Sequence, residues 1–257
     1  MKIAAIIPVH LASMRLHQKA LMKIHGHPMV VHVYKRVLLS KNFSDVYVAT
    51  GDDEIIKVLN EYNINYIKTY KNHASGTLRC AEAMNDINCE VVCVVQGDEP
   101  LLDPIELDSF CEQIRLSQTN DAWNAVCAIN NYSDLTDVDI VKCIINRNKK
   151  ILYMFRKYHF LEYKDDVFQY TKKIMGLFAY KKDVLYEIAN NVTRQIANDQ
   201  NIEQFNIIDN GFDLAAISMN IQTQSVNTKA EAKSVVEILT NNQKQNSIML
   251  SSFGKSM

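Results

Sequence analysis

The loop after the first predicted strand carries two cations four residues apart, Arg15 and Lys19. In α/β proteins such a loop often holds a phosphate, because its backbone N–H groups and nearby cations face the ligand. Arginine offers a planar fork of donors and lysine offers a mobile point charge, so together they suit a polyphosphate. A solvated basic turn is the alternative interpretation. The glycine patterns of the P-loop and of dinucleotide-binding folds do not occur at this position.

A second segment with chemical potential, Gln96-Gly97-Asp98-Glu99-Pro100, directly follows the apolar run Val91–Val95. A carboxylate at the carboxyl end of a parallel strand lies on the side of the sheet where ligands bind. Carboxylate oxygens such as those of Asp98 suit Mg²⁺, which keeps several waters and bridges substrate phosphates. Gly97 would let the backbone approach a ligand closely. The alternative interpretation is an acidic turn that caps a helix.

The third segment, Ser75-Gly76-Thr77-Leu78-Arg79, lies at the predicted start of a helix. The hydroxyls of Ser75 and Thr77 could cap this helix, which is the simpler interpretation. Alternatively, the hydroxyls and backbone N–H groups face an anion, with Arg79 one turn further along the helix.

An alternating pattern of strands and helices must position these three segments. Strands followed by helices predict right-handed βαβ crossovers and a mainly parallel sheet, whose ligands bind beyond the carboxyl ends of its strands. The predicted strands of the first half are Ile3–Ile7, Val46–Thr50, Ile64–Ile67 and Val91–Val95. The predicted helices are Pro28–Ser40, Asp52–Tyr62, Ser75–Met84 and Pro104–Ser117.

The second half is less regular. Its predicted strands are Ala122–Ala128, Ile140–Ile145, Ile151–Phe155, Ile174–Tyr180 and Leu214–Met219, and its predicted helices are Lys182–Asn190, Asn201–Asp209 and Lys229–Leu239. No internal repeat and no linker rich in Gly, Pro or Ser divides the sequence, so we predict one domain over residues 1–240. The polar tail Asn241–Met257 is weakly patterned, and we expect much of it to be frayed.

Composition excludes several classes of function. The 257 residues carry 28 Lys and Arg against 29 Asp and Glu, a net charge of −1, which argues against broad binding to nucleic acid or anionic membranes. The apolar runs are too short to span a bilayer, and the apolar start is too short for a signal-peptide core. The 6 cysteines include no C-x-x-C pair, so we expect reduced core residues in a cytoplasmic protein.

The three segments belong to a larger set of ordered motifs. They are Pro8-x-x-x-x-Ser13-x-Arg15-Leu16-x-x-Lys19-x-Leu21, His25–Val33, Tyr47–Thr50, Ser75-Gly76-Thr77-x-Arg79 and Gln96–Pro100. In order and spacing this set resembles the CMP-KDO synthetase (3-deoxy-manno-octulosonate cytidylyltransferase) family. The resemblance is dense over residues 1–105 and can be traced more thinly to about residue 240.

This resemblance implies an α/β, Rossmann-like, mainly parallel sheet flanked by helices, of the nucleotide-diphospho-sugar transferase type, with a smaller β-rich insertion. It implies a Mg²⁺-dependent nucleotidyltransferase that joins CMP from CTP to KDO or a related 3-deoxy-ulosonic acid and releases pyrophosphate, for surface polysaccharide synthesis. Residues 1–120 would form the nucleotide-binding half, and residues 121–240 would bind the acceptor and form a homodimer.

The resemblance also implies roles for individual residues. The catalytic residues would be Arg15, Lys19 and Asp98, with Asp98 bound to Mg²⁺. The substrate-binding residues would be Pro8, Ser13, Ser75, Gly76, Thr77, Arg79, Gln96, Gly97, Lys142, Arg156 and Glu203, with Arg79 and Gln96 near the sugar acid. Asn227 stands where the family has a second metal-binding aspartate. An amide oxygen can still bind Mg²⁺, but it brings no charge.

The acceptor half departs from the family pattern. Ile174 stands in place of a sugar-contacting histidine, and Asn206 and Ile207 replace a Glu–Gln pair. Met154 interrupts a later tyrosine–phenylalanine motif. Two alternatives therefore stay open beside KDO transfer. One is an enzyme of the same fold that acts on a different acidic acceptor, and the other is a non-catalytic nucleotide-binding relative.

Overall fold

A computed structural model describes residues 1–12, 16, 18–157, 167–191, 200–220 and 224–254, in which strands alternate with helices as the sequence predicts. The strands are β1 (Ile3–Pro8), β2 (Lys23–Ile24), β3 (His27–Pro28), β4 (Asp45–Thr50), β5 (Tyr66–Lys68), β6 (Val91–Val95), β7 (Ala122–Ala128), β8 (Lys142–Ile145), β9 (Ile151–Phe155), β10 (Thr171–Lys181) and β11 (Leu214–Ser218). The helices are α1 (Met29–Leu38), α2 (Asp53–Glu61), α3 (Gly76–Ala83), α4 (Pro104–Leu116), α5 (Tyr132–Thr136), α6 (Val167–Tyr170), α7 (Lys182–Asn190), α8 (Phe205–Asp209), α9 (Lys229–Asn241) and α10 (Gln243–Phe253).

The main sheet is mostly parallel. Its strands lie in the order β11-β7-β10-β6-β1-β4-β5, and the β8–β9 hairpin joins through β10. Strand β1 runs parallel to β4 and β6, β5 runs parallel to β4, and β11 runs parallel to β7. Strand β10 alone on this path is antiparallel to its neighbours β6 and β7. The predicted Rossmann-like fold class is thus confirmed, with one reversed strand at its centre.

The core lies on both faces of the sheet, which explains the unbroken apolar runs of β1 and β6. On one face Ile3, Ala5 and Ile7 belong to the cluster that includes α1, α2 and α4. On the other face Ala4 and Ile6 belong to the cluster that includes α3 and α7. All 6 cysteines are buried and unpaired, as expected for reduced core residues.

The reversed strand β10 carries a bulge beside the predicted ligand edge. Ile174 pairs with Val126 and Phe178 with Asn124, so the register shifts between these two pairs. Gly176 lies in this bulge, where its carbonyl accepts the backbone N–H of Gln96 at 2.8 Å. A Cβ at position 176 would lie 3.0 Å from the Cβ of Gln96, so glycine permits this close approach.

Several local predictions differ from the structure. The short hairpin β2–β3 and the helices α5 and α6 were not predicted, and β10 is longer than the predicted Ile174–Tyr180. The helix predicted over Asn201–Asp209 begins only at Phe205, because turns precede it. Short elements of this kind give weak periodic signals, so their boundaries depend on packing.

The expectation that much of Asn241–Met257 is frayed is wrong, because Gln243–Phe253 forms helix α10. Its anchor is Gln245, whose side chain accepts a hydrogen bond from the buried Arg36 at 2.7 Å and donates one to the Leu101 carbonyl at 3.0 Å. At the other end Phe253 stacks on His27, with 4.0 Å between the ring centres. Met249 and Phe253 also pack against the core, so the helix combines polar anchors with a few apolar contacts and its sequence shows no long apolar stripe.

Among the described residues, no helix is both long enough and apolar enough to cross a lipid bilayer.

The anchoring of α10 leads to a stability prediction. Gln245→Ala should lower the free energy of unfolding by about 2 kcal/mol, because it leaves the buried Arg36 guanidinium short of a partner. The exposed Gln243→Ala on the same helix is the matched control and should change it by less than about 0.5 kcal/mol. Urea denaturation of the three proteins measures both effects. Equal stabilities for the two variants would contradict the anchoring role of Gln245.

Candidate active site

The predicted chemical segments converge at the carboxyl edge of the sheet. The loops after β1 and β6 and the start of α3 enclose a cavity of about 240 Å³. Its lining includes Pro8, Lys19, Ser75, Gly76, Arg79, Gln96, Gly97 and Asp98, together with Val9, His10, Ala20, Met29, His73 and Ala74. Eight predicted site residues from three separate segments therefore share one cavity.

At the floor of this site, one ammonium group meets two oxygen atoms. The Nζ of Lys19 lies 2.5 Å from Oδ2 of Asp98 and 3.1 Å from Oδ1 of Asn227. The backbone brings Asn227 here, because the N–H of Val226 donates to the carbonyl of Asp98 at 2.9 Å. Glu231, in the first turn of α9, accepts the N–H of Asn227 at 2.7 Å and holds the segment in place.

This arrangement fits a divalent cation. Two oxygen atoms, one from a carboxylate and one from an amide, already converge on a positive charge, and Mg²⁺ prefers oxygen ligands. Among the described residues no group of three or more His, Cys, Asp or Glu is arranged to hold a metal ion. The protein would therefore supply Asp98 and Asn227, and phosphate oxygens and water would complete the coordination.

Close backbone packing shapes the wall between β1 and β6. A Cβ at Gly97 would lie 2.4 Å from a methyl group of Val9, so only glycine allows this loop to lie against the end of β1. Ser75 caps α3, since its hydroxyl accepts the N–H of Leu78 at 3.3 Å. The simpler interpretation of Ser75 as a helix cap is therefore confirmed, and the residue still lines the cavity.

The carboxylate of Glu203 connects the two halves of the chain. It accepts the side-chain amide of Gln96 at 3.1 Å through one oxygen. The other oxygen accepts the N–H of Thr77 at 3.1 Å and its hydroxyl at 2.7 Å. The expectation that the Thr77 hydroxyl faces a bound anion is wrong in this structure, because that hydroxyl binds Glu203. Glu203 therefore positions Gln96, and its contact with Thr77 fixes the start of α3.

Arg79 lies with the phosphate-binding candidates. It is buried in α3, and its Nη1 donates to the hydroxyl of Thr69 at 2.5 Å. It lines the smaller cavity with Lys19 and His10. Sequence analysis expected Arg79 near the sugar acid, and that role stays a prediction.

His10 follows β1 directly and was missed by sequence analysis. Burial lowers the pKa of its imidazole, and the nearby Arg79 and Lys19 lower it further, whereas Asp52 raises it. The imidazole of His10 is thus mainly neutral near pH 7, where it can donate or accept a hydrogen bond. Its place after the first strand was the only signal in the sequence.

His73 was also missed as a lining residue. Its Nε2 lies 2.6 Å from a carboxylate oxygen of Glu82, which also accepts the N–H groups of Tyr70 and Lys71. Glu82 therefore holds the loop before α3 against the helix that follows it. A contact between residues nine apart across a turn leaves no periodic signal in the sequence, so the sequence gives no indication of it.

A larger cavity of about 760 Å³ adjoins the first, and Gln96 and Asp98 line both. Its lining also includes three predicted site residues, Arg156, Glu203 and Asn227. Two residues of β10, Ile174 and Gly176, line it as well. Arg156 donates to the carbonyls of Val138 and Asp139 at 3.3 Å and to that of Asn201 at 2.9 Å. Residues of the second half therefore form most of the lining of this second cavity.

The prediction that Lys142 binds substrate is not supported. Its ammonium donates to the carbonyls of Asp137 at 2.6 Å and Ile140 at 2.9 Å, and also to that of Arg156. These three acceptors use all of its donors. Burial lowers the pKa of Lys142 to about 8. Lys142 instead ties the loop before β8 to the end of β9, beside the larger cavity.

Two predicted residues, Ser13 and Arg15, lie outside the described residues. Their proposed contacts with a triphosphate stay predictions from the sequence. Lys19, four residues after Arg15 in the sequence, lines the cavity.

Solved structures define the class of protein that has this fold and site. A CMP:2-keto-3-deoxy-manno-octonic acid synthetase complexed with CTP has a TM-score of 0.84 and 26% identity, over 93% of this chain and 99% of that one. A 4-diphosphocytidyl-2C-methyl-D-erythritol synthase from Anaerococcus prevotii has a TM-score of 0.63 at 15% identity, over 93% and 99% of the two chains, and shows the same fold. The class is thus that of the nucleotidyltransferases.

Sequence comparison identifies the family within this class. The family model described as Cytidylyltransferase matches residues 4–244. A 3-deoxy-manno-octulosonate cytidylyltransferase of Geobacter metallireducens is 30% identical over 250 residues, which cover 93% of this chain and 98% of that protein. The chain belongs to the cytidylyltransferase family, as the ordered motifs predicted.

The contacts of Lys142 lead to a second stability prediction. Lys142→Met should lower the free energy of unfolding by about 3 kcal/mol, because three carbonyl groups lose their donor. Lys172→Met is the matched control, since Lys172 donates to one carbonyl, that of Phe168. It should cost about 1 kcal/mol by urea denaturation. Unchanged stability of Lys142→Met, together with a raised KM, would restore the substrate-binding role.

Proposed function

We propose that this enzyme transfers the cytidylyl group of CTP to 3-deoxy-manno-octulosonate, or to a closely related 3-deoxy-ulosonic acid, and releases pyrophosphate. The observation that carries this proposal is the position of Asp98 and Gln96, which line both cavities at their junction. One reactant in each chamber would meet at these two side chains. The names of the similar proteins support both the nucleotide and the acceptor. Use of the product in surface polysaccharide synthesis is part of this proposal.

Charge repulsion is the main obstacle to this reaction. The acceptor hydroxyl must attack the α-phosphorus in line, yet the triphosphate and the acceptor carboxylate are both anions. Lys19 and Arg79 line the smaller cavity and would neutralise the phosphates, a role for Arg79 that would replace its predicted contact with the sugar acid. Arg15, which lies outside the described residues, would join them if the sequence prediction holds. Neutralisation and positioning together can supply most of the catalysis.

Dependence on Mg²⁺ is a second part of the proposal. The oxygens of Asp98 and Asn227 would hold the ion beside the α-phosphate. When bound, Mg²⁺ polarises phosphoryl oxygens and lowers the pKa of a bound hydroxyl. The single charge of Asp98 makes it the residue on which this binding depends.

Positioning of the acceptor depends on Glu203. Its carboxylate holds the Gln96 amide at the junction and leaves the Gln96 amide oxygen to face a ligand. The larger cavity also presents Arg156, whose side chain donates to four backbone carbonyls, those of Val138, Asp139, Gln200 and Asn201, and lies at a fixed place in the wall. A fixed cation of this kind suits an acceptor carboxylate.

An acceptor screen tests the proposal. Wild-type protein with CTP and Mg²⁺ should release pyrophosphate and form a CMP-sugar of the expected mass with 3-deoxy-manno-octulosonate. Asp98→Asn should lower kcat by about 100-fold or more, as expected when one electrostatic stabiliser of the transition state is lost. Asp86→Asn, an exposed carboxylate at the end of the 3₁₀ turn Met84–Asp86, is the matched control and should keep full activity.

The other outcomes of the screen separate the alternatives. A product formed only with a sialic-like acid, a phosphonate or a sugar phosphate would keep cytidylyl transfer and replace the acceptor. Tight CTP binding with no product from any acceptor would favour a non-catalytic relative. Activity of Asp98→Asn at the wild-type level would contradict the role of Asp98.

The pKa of His10 leads to a pH prediction. In the free protein this pKa is lowered, and a bound triphosphate would raise it, so CTP binding takes up a proton. The affinity for CTP should therefore rise as the pH falls from about 8 to about 6, within the ordinary titration range of histidine. Calorimetry of wild type and His10→Gln separates this effect from protonation of CTP itself. We expect the wild-type affinity to rise about threefold more than that of His10→Gln, and equal pH profiles would contradict the prediction.

Homodimer formation and a cytoplasmic location remain proposals from the sequence. The side chains of Leu152 and Tyr153 on β9 are about half exposed, at 57% and 49%, which supports a contact made by the second half. Buried, unpaired cysteines support a reducing compartment.

A further inference from the structure

The hydrogen bonds of Asn227 determine which end of its side-chain amide faces Lys19. The side-chain nitrogen of Asn227 donates to the hydroxyl of Ser225 at 3.2 Å, so its oxygen must face the ammonium of Lys19. The backbone N–H of Asn227 is held separately by Glu231. The amide is thus oriented as a ligand for a cation, and the cation it meets is Lys19.

The three groups are electrically balanced. Asp98 brings one negative charge, Lys19 one positive charge and Asn227 none. The side chains of Lys19 and Asp98 are each only 19% exposed, so water screens their attraction incompletely. A divalent ion placed on the same two oxygens would lie beside the ammonium and be repelled by it. The Lys19 contact therefore opposes binding of a divalent ion at these two oxygens.

We propose that Lys19 is a gate for the metal: in the nucleotide-free enzyme its ammonium blocks the Asp98–Asn227 site, and it leaves only when phosphates draw it away. This inference rests on the proposed function, because it takes the phosphates to be those of a nucleotide. Metal then enters together with the nucleotide and does not bind beforehand. Lys19 acts in both states, first as a stand-in for the ion and then as a partner of the phosphates.

The gate is chemically able to move. Lysine carries its charge on a flexible four-carbon stem, so its ammonium can change partners without movement of the backbone. A triphosphate offers several charged oxygens, whereas Asp98 and Asn227 together offer one charge. Lys19 also lines the cavity into which Arg79 and His10 face, so its alternative partners would lie within reach.

Asn227 is part of the proposed gate. An aspartate at this position would bring a second negative charge, which one ammonium could not balance. The site would then attract a divalent ion without nucleotide. The amide therefore keeps the site ready for metal by geometry while keeping its charge too low to compete with Lys19.

Binding of Mn²⁺ to the nucleotide-free protein tests the gate. The probe is the paramagnetic ion alone, titrated into protein and read by electron paramagnetic resonance of free Mn²⁺. Lys19→Met should bind Mn²⁺ about tenfold more tightly than wild type, because a charged hydrogen-bond partner of Asp98 has been removed. Asn227→Asp should also bind about tenfold more tightly. Lys41→Met, which removes an exposed charge at the opposite edge of the sheet, controls for net charge and should match wild type.

The affinity of Lys19→Met for CTP should change in the opposite direction to its affinity for Mn²⁺. In the absence of any divalent ion, Lys19→Met should bind CTP about tenfold more weakly than wild type, since it has lost a phosphate partner. If Lys19 had only a structural role, Lys19→Met would weaken the binding of both Mn²⁺ and CTP, or it would leave the binding of Mn²⁺ unchanged. Thermal melting shows whether each variant is folded. If Lys19→Met is not folded, the Mn²⁺ affinity of Asn227→Asp tests the gate.

The inference is overturned if Lys19→Met, folded, binds Mn²⁺ no more tightly than wild type and Lys41→Met. It is equally overturned if wild type and Asn227→Asp bind free Mn²⁺ with the same affinity. The titration contains no nucleotide or acceptor, so its result is separate from cytidylyl transfer. Transfer without a gate would remove this inference alone, and a gate without transfer would remove the proposed function alone.

Discussion

A carboxylate and an ammonium group, 2.5 Å apart at the carboxyl edge of the sheet, are the interaction on which the site depends. The ion pair joins the loop after β1 to the loop after β6, and the amide of Asn227 adds a third segment from near the end of the chain. A cytidylyltransferase must bring anions together, so the edge needs positive charge. The proposed dependence on Mg²⁺ adds a need for an oxygen ligand. The Lys19–Asp98 pair meets both needs with groups that neutralise each other when no substrate is bound.

A single reversed strand explains how the second half of the chain takes part. Because β10 runs antiparallel to β6, its first residues extend beyond the ligand edge and pair with the β8–β9 hairpin. That extension forms one wall of the larger cavity and places Gly176 against Gln96. Glu203 then connects Gln96 to the start of α3. Hydrogen bonds of Gln96 and Glu203 therefore connect the walls of the two cavities, an arrangement that suits a reaction between two separately bound anions.

Two of the departures from the family pattern, Ile174 and Asn227, line the larger cavity, whereas Met154 and Ile207 are buried in the core. At Ile174 an apolar side chain therefore faces the larger cavity where the family has a histidine. The smaller chamber keeps the family residues, and its packing requires glycine at position 97. Where the larger cavity holds the acceptor, as proposed above, Ile174 would place an apolar surface against it.

The sequence alone determined the fold class, the four main-sheet strands β1, β4, β5 and β6 of the first half, and most of the smaller cavity. These features depend on local signals: continuous apolar runs mark buried strands, Ser75 marks the start of a helix, and motifs at strand ends mark ligand loops. Only the tertiary structure decided that Lys142 serves three carbonyls, that Thr77 holds Glu203, and that helix α10 is anchored by a buried arginine. Each of these is a polar contact between distant segments or irregular loops, and Glu203 lies 126 residues from Thr77. Such contacts follow from the sheet order and the reversal of β10, which leave no periodic pattern in the chain.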